Sequence, residues 1–163
     1  MIKIAVLSLI FVTCTLMGLT KKRELAVRVE ALDSLILFAE TVRTEILCGR
    51  RTLSSIIEEF NGKNVFFDLL AKSDVFPILS RYETVKDILK SRFCLKNDWL
   101  ISVDTMFRVL GKTDGDDQCN MLENVISDLK EKRKLAYTEL TGLGSVYVKA
   151  GLAVGAFSVI ICV

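Results

Sequence analysis

Among the residues able to do chemistry, the carboxylates stand closest together: Glu58-Glu59 in "SIIEEF", and Asp114, Asp116 and Asp117 in "VLGKTDGDDQ". Neighbouring acids can perform general acid–base work or hold a cation if partners stand at the right spacing. Here the partners are missing. The chain has no histidine, which removes the commonest general base, the Ser-His and Cys-His nucleophile pairs, and imidazole metal ligands. The cysteines at 14, 48, 94, 119 and 162 form no C-x-x-C pair, so zinc spacing is absent and buried free thiols in a reducing compartment account for them. A calcium loop needs D-x-D/N-x-D/N-G with a later Glu, and only Asp114 and Asp116 fit, with a glycine between them. Neither G-x-x-x-x-G-K-S/T nor G-x-G-x-x-G occurs, which leaves a nucleotide without visible apparatus. The expectation is a non-enzyme with no catalytic residue, no cofactor and no metal.

"VLGKTDGDDQ" reads instead as the joint between two helices. Leu110 closes an apolar face, and Gly111 can take the left-handed conformation that ends a helix. Asp114 can accept hydrogen bonds from the free amides of the next helix, whose first turn favours Asp116 and Asp117 through the macrodipole. Gln118 falls about one turn further, on the side of Asp114. It has no capping duty there, so it serves either the turn or a partner.

The elements that carry this joint are helical. Leu25, Val29, Leu32, Ile36, Ala39, Val42 and Ile46 step by three or four, one stripe without proline or glycine until Gly49. "TLSSIIEEF" restarts a helix with Thr52 or Ser55 as its cap. "NVFFDLLAKS" gives a short element ending before Pro77, the single proline. Residues 78–93 and 98–110 are amphipathic, and a long helix from Asp114 carries Met121, Leu122, Val125, Ile126, Leu129, Ala136 and Leu140. No run alternates with period two. The class expected is all-α: an antiparallel bundle of about five or six helices with short connections.

Both ends differ from this middle. Residues 4–20 carry no charge, and from Thr141 to Val163 the only charge is Lys149. As a helix the first stretch spans about 25 Å, just short of a hydrocarbon core. The organisation expected is therefore a transmembrane segment over 1–20, a cytoplasmic bundle over 21–141 and a second transmembrane segment over 142–163. A cleaved signal peptide is the other reading of the first stretch, although no A-x-A-like site follows it. Gly151 and Gly155, four apart with Tyr147 one turn earlier, are the small residues that let membrane helices pack closely. Lys21, Lys22 and Arg23 follow the first segment directly, and positive-inside counting places the middle in the cytoplasm. Between residues 21 and 141 the 20 basic and 20 acidic side chains cancel, so no basic face invites nucleic acid.

"LG-x-x-D-x-x-x-Q", followed by a long helix, resembles the stage III sporulation protein AB family. The likeness runs over nearly the whole chain: the leading apolar segment, "LDSLILFAETVRTEILCGRRTLSSII", Trp99, and the closing "VYVKAGLAVGAF". Leu110, Gly111, Asp114, Gln118, Tyr147, Gly151 and Gly155 are the positions it carries over. Thr52 stands where the family often writes a Pro-Leu turn. The resemblance implies a cytoplasmic domain similar to that of the type II secretion inner-membrane platform protein. It also implies membership of a channel between mother cell and forespore, in the mother-cell membrane facing the forespore. The partners implied are a secretion-type ATPase and other membrane proteins of that channel, with room for self-association. A membrane-anchored helical adaptor or regulator, binding a soluble partner outside any channel, is the competing reading.

The orientation has a direct test. Reporter fusions at residues 20 or 141 are expected to report cytoplasm, and fusions after Val163 the outside; a periplasm-type signal from the middle contradicts it.

Overall fold

A helix continues until something interrupts its hydrogen-bond ladder, and proline is the strongest interruption. From Ile2 to Cys48 the sequence has no proline and only Gly18. In the computed structural model this whole stretch is one helix, α1 (Ile2–Cys48). The chain returns through four shorter helices, α2 (Leu53–Glu59), α3 (Val65–Ala71), α4 (Ile78–Arg92) and α5 (Asn97–Val109), to a second long one, α6 (Gly115–Cys162). The structure describes residues 2–48, 52–59, 62, 65–72, 78–110 and 115–162; the side chains of 2–7, 78, 79, 159, 161 and 162 lie outside that description. Among the described residues all regular structure is helical. The two apolar ends are not the separate flanking helices expected but the outer parts of α1 and α6, and among the described residues only α6 is long and apolar enough to cross a membrane. A side-chain pattern can change from amphipathic to apolar while the backbone ladder continues undisturbed.

The chain forms two compact units, Met1–Val27 with Leu135–Val163, and Arg28–Lys134. In the larger one, the stripe read from the sequence faces the core: Val29, Leu32, Ile36, Ala39 and Val42 are buried, and Ile46 is half-buried. A second row, Ala31, Leu35 and Phe38, is buried as well. The buried face is therefore wider than the stripe, extending along one flank of it, while Glu30, Asp33 and Leu37 on the other flank are exposed. Phe38 holds the centre. Its ring lies 5.1 Å from those of Phe66 and Phe67 on α3 and 5.4 Å from Phe107 on α5. Tyr82 of α4 stacks on Phe107 at 4.3 Å. Each such pair adds about 0.5–1.5 kcal/mol beyond the area it buries, so four helices meet at one aromatic cluster.

Along the outside of this unit, α1 and α6 are joined by Arg133–Asp33 at 2.5 Å, Lys130–Glu40 at 2.7 Å and Arg43–Glu123 at 3.1 Å. The order of these pairs makes the helices antiparallel. Each is substantially exposed and contributes about 0–1 kcal/mol, so the pairs fix register more than stability.

The short helices start and stop for local reasons. Thr52 caps α2: its hydroxyl accepts the Ser55 N–H at 3.4 Å and its carbonyl the Ile56 N–H at 3.1 Å. The Gly62 N–H donates to the Asp68 carboxylate at 2.5 Å, with Gly62 at a φ of 82° that a side chain would resist. Between α4 and α5, Cys94 sits at φ 53°. Its carbonyl accepts the Arg28 Nε–H at 3.1 Å, and the Leu95 N–H after it reaches back to the Leu89 carbonyl at 3.4 Å. Two bonds and two buried leucines hold a non-glycine residue in left-handed backbone.

Thermal melts of the full chain test both features. Phe38→Ala is expected to cost about 3–5 kcal/mol. Cys94→Gly is expected to raise stability by about 1 kcal/mol through released strain, and Cys94→Val to lower it; a stabilising Val would refute the strained backbone.

Candidate functional site

No local sequence pattern marks a polar cluster inside the bundle, and the larger unit contains two. Tyr82 and Lys86 lie one turn apart on α4, and both reach Asp104 of α5: the tyrosine hydroxyl donates to one carboxylate oxygen, and the lysine meets the other at 2.5 Å. Burial first, then the hydrogen bond and charge of Asp104, push the Tyr82 phenol far above its ordinary value. The second cluster joins α5 to α6. The Ser102 hydroxyl donates to Asp128, and Lys132 donates to Asp128 at 2.6 Å, to Ser102 at 3.2 Å and to the Asp98 carbonyl at 3.3 Å.

A serine beside a lysine raises the question of a nucleophile and its base. The bond directions answer it. Lys132 lies within hydrogen-bond reach of three acceptors on two helices, and the Ser102 hydroxyl is directed at Asp128 rather than at the lysine. Both clusters act as helix-to-helix ties. A signal for the first existed: Asp104 lies between Leu100, Val103 and Phe107, a lone acid on the core face of α5.

Of the joint residues, Leu110 is buried, and its N–H donates to the Met106 carbonyl at 2.9 Å to close α5. Helix α6 begins at Gly115 with Asp116 and Asp117 exposed in its first turn, and Gln118 is half-buried there. Gly111 and Asp114 lie outside the described residues. Trp99, 8% exposed, lies with the Arg28 guanidinium 5.7 Å and the Lys96 ammonium 5.0 Å from its ring, a geometry in which both cations are attracted to the ring.

The smaller unit brings together Tyr147, Gly151 and Gly155 with α1. A Cβ on Gly151 would stand 2.8 Å from the Cys14 carbonyl oxygen, and one on Gly155 would stand 2.8 Å from the Phe11 ring. From the other side, a Cβ on Gly18 would stand 2.6 Å from the Tyr147 carbonyl oxygen. As α1 advances from 11 to 14 to 18, its neighbour on α6 retreats from 155 to 151 to 147, so the helices are antiparallel. They touch backbone to backbone. Gly18, a lone glycine on α1, is as tightly placed as the other two. Lys21, Lys22 and Arg23 are exposed; Lys21 pairs with Glu24 at 2.8 Å, and the Lys22 stem lies 3.3 Å from where a Gly144 Cβ would be. Gly142 meets nothing within 4 Å.

The fold and these surfaces define a class: an all-helical protein in which one helix, over Gly115–Ser158, is long and apolar enough to cross a membrane. Among the described residues no group of acids and cysteines could hold a metal ion. The chain belongs to the stage III sporulation protein AB family, which it matches over residues 3–163. It is thus a sporulation-related protein. No curated protein and no solved structure matches it.

The Tyr82 cluster sets an alkaline limit. Because the folded phenol lies above the unfolded value of about 10, its stabilising contribution is complete below about pH 10 and is lost as the pH rises beyond it. Tyr82→Phe is expected to flatten that alkaline loss in pH-dependent melts. Asp104→Ala is expected to cost about 1–3 kcal/mol at neutral pH by leaving the tyrosine hydroxyl unpaired. An unchanged alkaline limb in Tyr82→Phe would contradict the assignment.

Proposed function

We propose that this protein is a non-catalytic platform of a sporulation channel between mother cell and forespore. Two membrane-crossing helices anchor it in the mother-cell membrane facing the forespore. Its helical bundle stands in the cytoplasm and couples a secretion-type ATPase to the trans-envelope complex. Family membership supports the setting. One observation carries the anchoring: the smaller unit is built inside out. Its two helices meet through glycines and backbone, while Leu9, Leu16, Met17, Val154, Phe157 and Ile160 are 53–71% exposed.

In water such a surface would be an association liability. In hydrocarbon it costs nothing, and pairing through small residues is the usual way membrane helices hold together. The bands of polarity agree with this reading. Lys21, Lys22 and Arg23 follow the apolar part of α1, where a cytoplasmic interface would lie. Thr13, Thr15 and Ser158 turn their hydroxyls onto carbonyls of their own helices, so these hydroxyls enter lipid already paired.

The test joins anchor to role. The double substitution Gly151→Ile and Gly155→Ile should leave the chain in the membrane but separate the helix pair, with loss of sporulation. Wild-type membranes should retain the secretion-type ATPase of the same sporulation system in a co-purification, and membranes lacking the chain should not. Equal ATPase retention with and without the chain overturns the platform reading, and full sporulation in the double variant makes the glycine pairing incidental.

A further inference from the structure

The apolar part of α6 carries one charge, and the fold gives it no counter-charge. Lys149 is exposed, and among the described residues its ammonium has no ion pair or hydrogen bond. The glycine contacts fix its level. Gly18 faces Tyr147 and Cys14 faces Gly151, so Lys149 lies level with Leu16, about 8 Å inside Lys21 along the pair. The same contacts fix its side. Two residues are about 200° round a helix, so Lys149 stands on the side of α6 away from Gly151 and α1.

The surface around the lysine differs from the rest of the unit. Gly142, Ser145, Ala153 and Ala156 stand four or seven residues from Lys149, within about 40° of it round the helix. A Cβ on Gly142 would meet nothing within 4 Å, and Ala153 and Ala156 are exposed. Val146 and Leu152 border this strip of small residues, and Ile160 closes its far end. Elsewhere the outward positions are large, as at Leu9, Leu16, Met17, Val154 and Phe157.

We propose that this face receives a transmembrane helix of another protein, and that an Asp or Glu carboxylate of that helix pairs with Lys149 inside the hydrocarbon. The inference rests on the membrane placement of this unit. Charge selects the occupant. An ammonium at this depth is costly unless an anion meets it, and residues 1–23 and 140–163 contain no acidic side chain. A second copy of the chain therefore has no counter-charge to offer, and two copies meeting here would oppose lysine to lysine. Shape selects a helix over lipid. A lysine that only snorkels to the headgroups needs no small neighbours. Small residues above and below it let a second backbone come close enough for a carboxylate to reach the ammonium. Helix α6 then has two packing faces, glycines for α1 and the Lys149 strip for the partner.

The full chain in phosphatidylcholine vesicles tests this with a labelled synthetic transmembrane peptide as probe. The peptide is a Leu-Ala helix with one Glu about 8 Å inside one end, and Gln replaces that Glu in the control. Energy transfer from labelled chain to peptide reads association. The wild type should bind the Glu peptide at least about five-fold more tightly than the Gln peptide. Lys149→Arg should keep that difference and Lys149→Met remove it, while Ala153→Phe should weaken binding of both peptides. In the native host Lys149→Arg should sporulate and Lys149→Met, whose segment is more apolar and still inserts, should not. Equal binding of the two peptides, or normal sporulation of Lys149→Met, overturns the proposal and leaves a snorkelling lysine. Energy transfer between copies of the chain that disappears in Lys149→Met would make a second copy the occupant and also overturn it. Carbonate extraction of the same vesicles separates the levels: a chain that washes off refutes the membrane reading itself, and one that stays without preferring the Glu peptide refutes only the pairing.

Discussion

Three positions without a side chain hold α1 and α6 together in the smaller unit. At Gly18, Gly151 and Gly155 even a methyl group would lie 2.6–2.8 Å from atoms of the facing helix, closer than carbon and oxygen or two carbons can approach. The contact gains dispersion energy along two backbones and needs no hydrophobic driving force. It suits an environment in which burying leucine gains nothing. The exposed leucines, valines and phenylalanines around the pair follow from the same choice: with glycine inside, the large apolar side chains face outward.

The larger unit uses the opposite arrangement. Phe38 and its ring neighbours pack large side chains inward, and polar residues cover the outside. Two of its polar clusters are tied off as triads. Asp104 satisfies Tyr82 and Lys86, and Asp128 satisfies Ser102 and Lys132. Such ties are costly to break and contribute little reactivity. The proposed platform role, holding partners in place, would draw on rigidity of this kind. The same economy extends to α4's end, where Cys94 carries backbone strain because Arg28 and Leu95 hold both sides of it.

Much of this was legible in the sequence, and the gaps have physical causes. The stripe from Leu25 to Val42 is buried because a 3.6-residue period on an uninterrupted helix admits one reading. Phe38, Leu35 and Ala31 lie off that stripe, and a three-to-four-residue period marks the centre of a buried face without giving its width. Thr52 was one of two caps the local chemistry allowed, and the structure uses it. Gly151 and Gly155 announced a close contact by their spacing, but not its partner. A helix-packing motif is written on one helix at a time, and Gly18 stands alone on the other. The polar clusters were hidden for a related reason: Asp104 meets residues 18 and 22 positions away, beyond any local pattern. Of the turn motif, Leu110 and Gln118 are placed, while Gly111 and Asp114 are outside the described residues.

The antiparallel pairing of the two apolar segments has a direct covalent test. A Cβ at Gly144 would lie 4.0 Å from that of Lys22, inside the range of about 3.5–4.5 Å that a disulfide spans, whereas Gly142 has nothing within 4 Å. Lys22→Cys is combined with Gly144→Cys, or with Gly142→Cys, in a chain whose own cysteines are replaced. Each is then oxidised in native membranes, and linked peptides are identified by mass spectrometry. The account predicts an efficient link between positions 22 and 144 within one chain and little or none between 22 and 142. No 22–144 link, or links only between different copies, would contradict it.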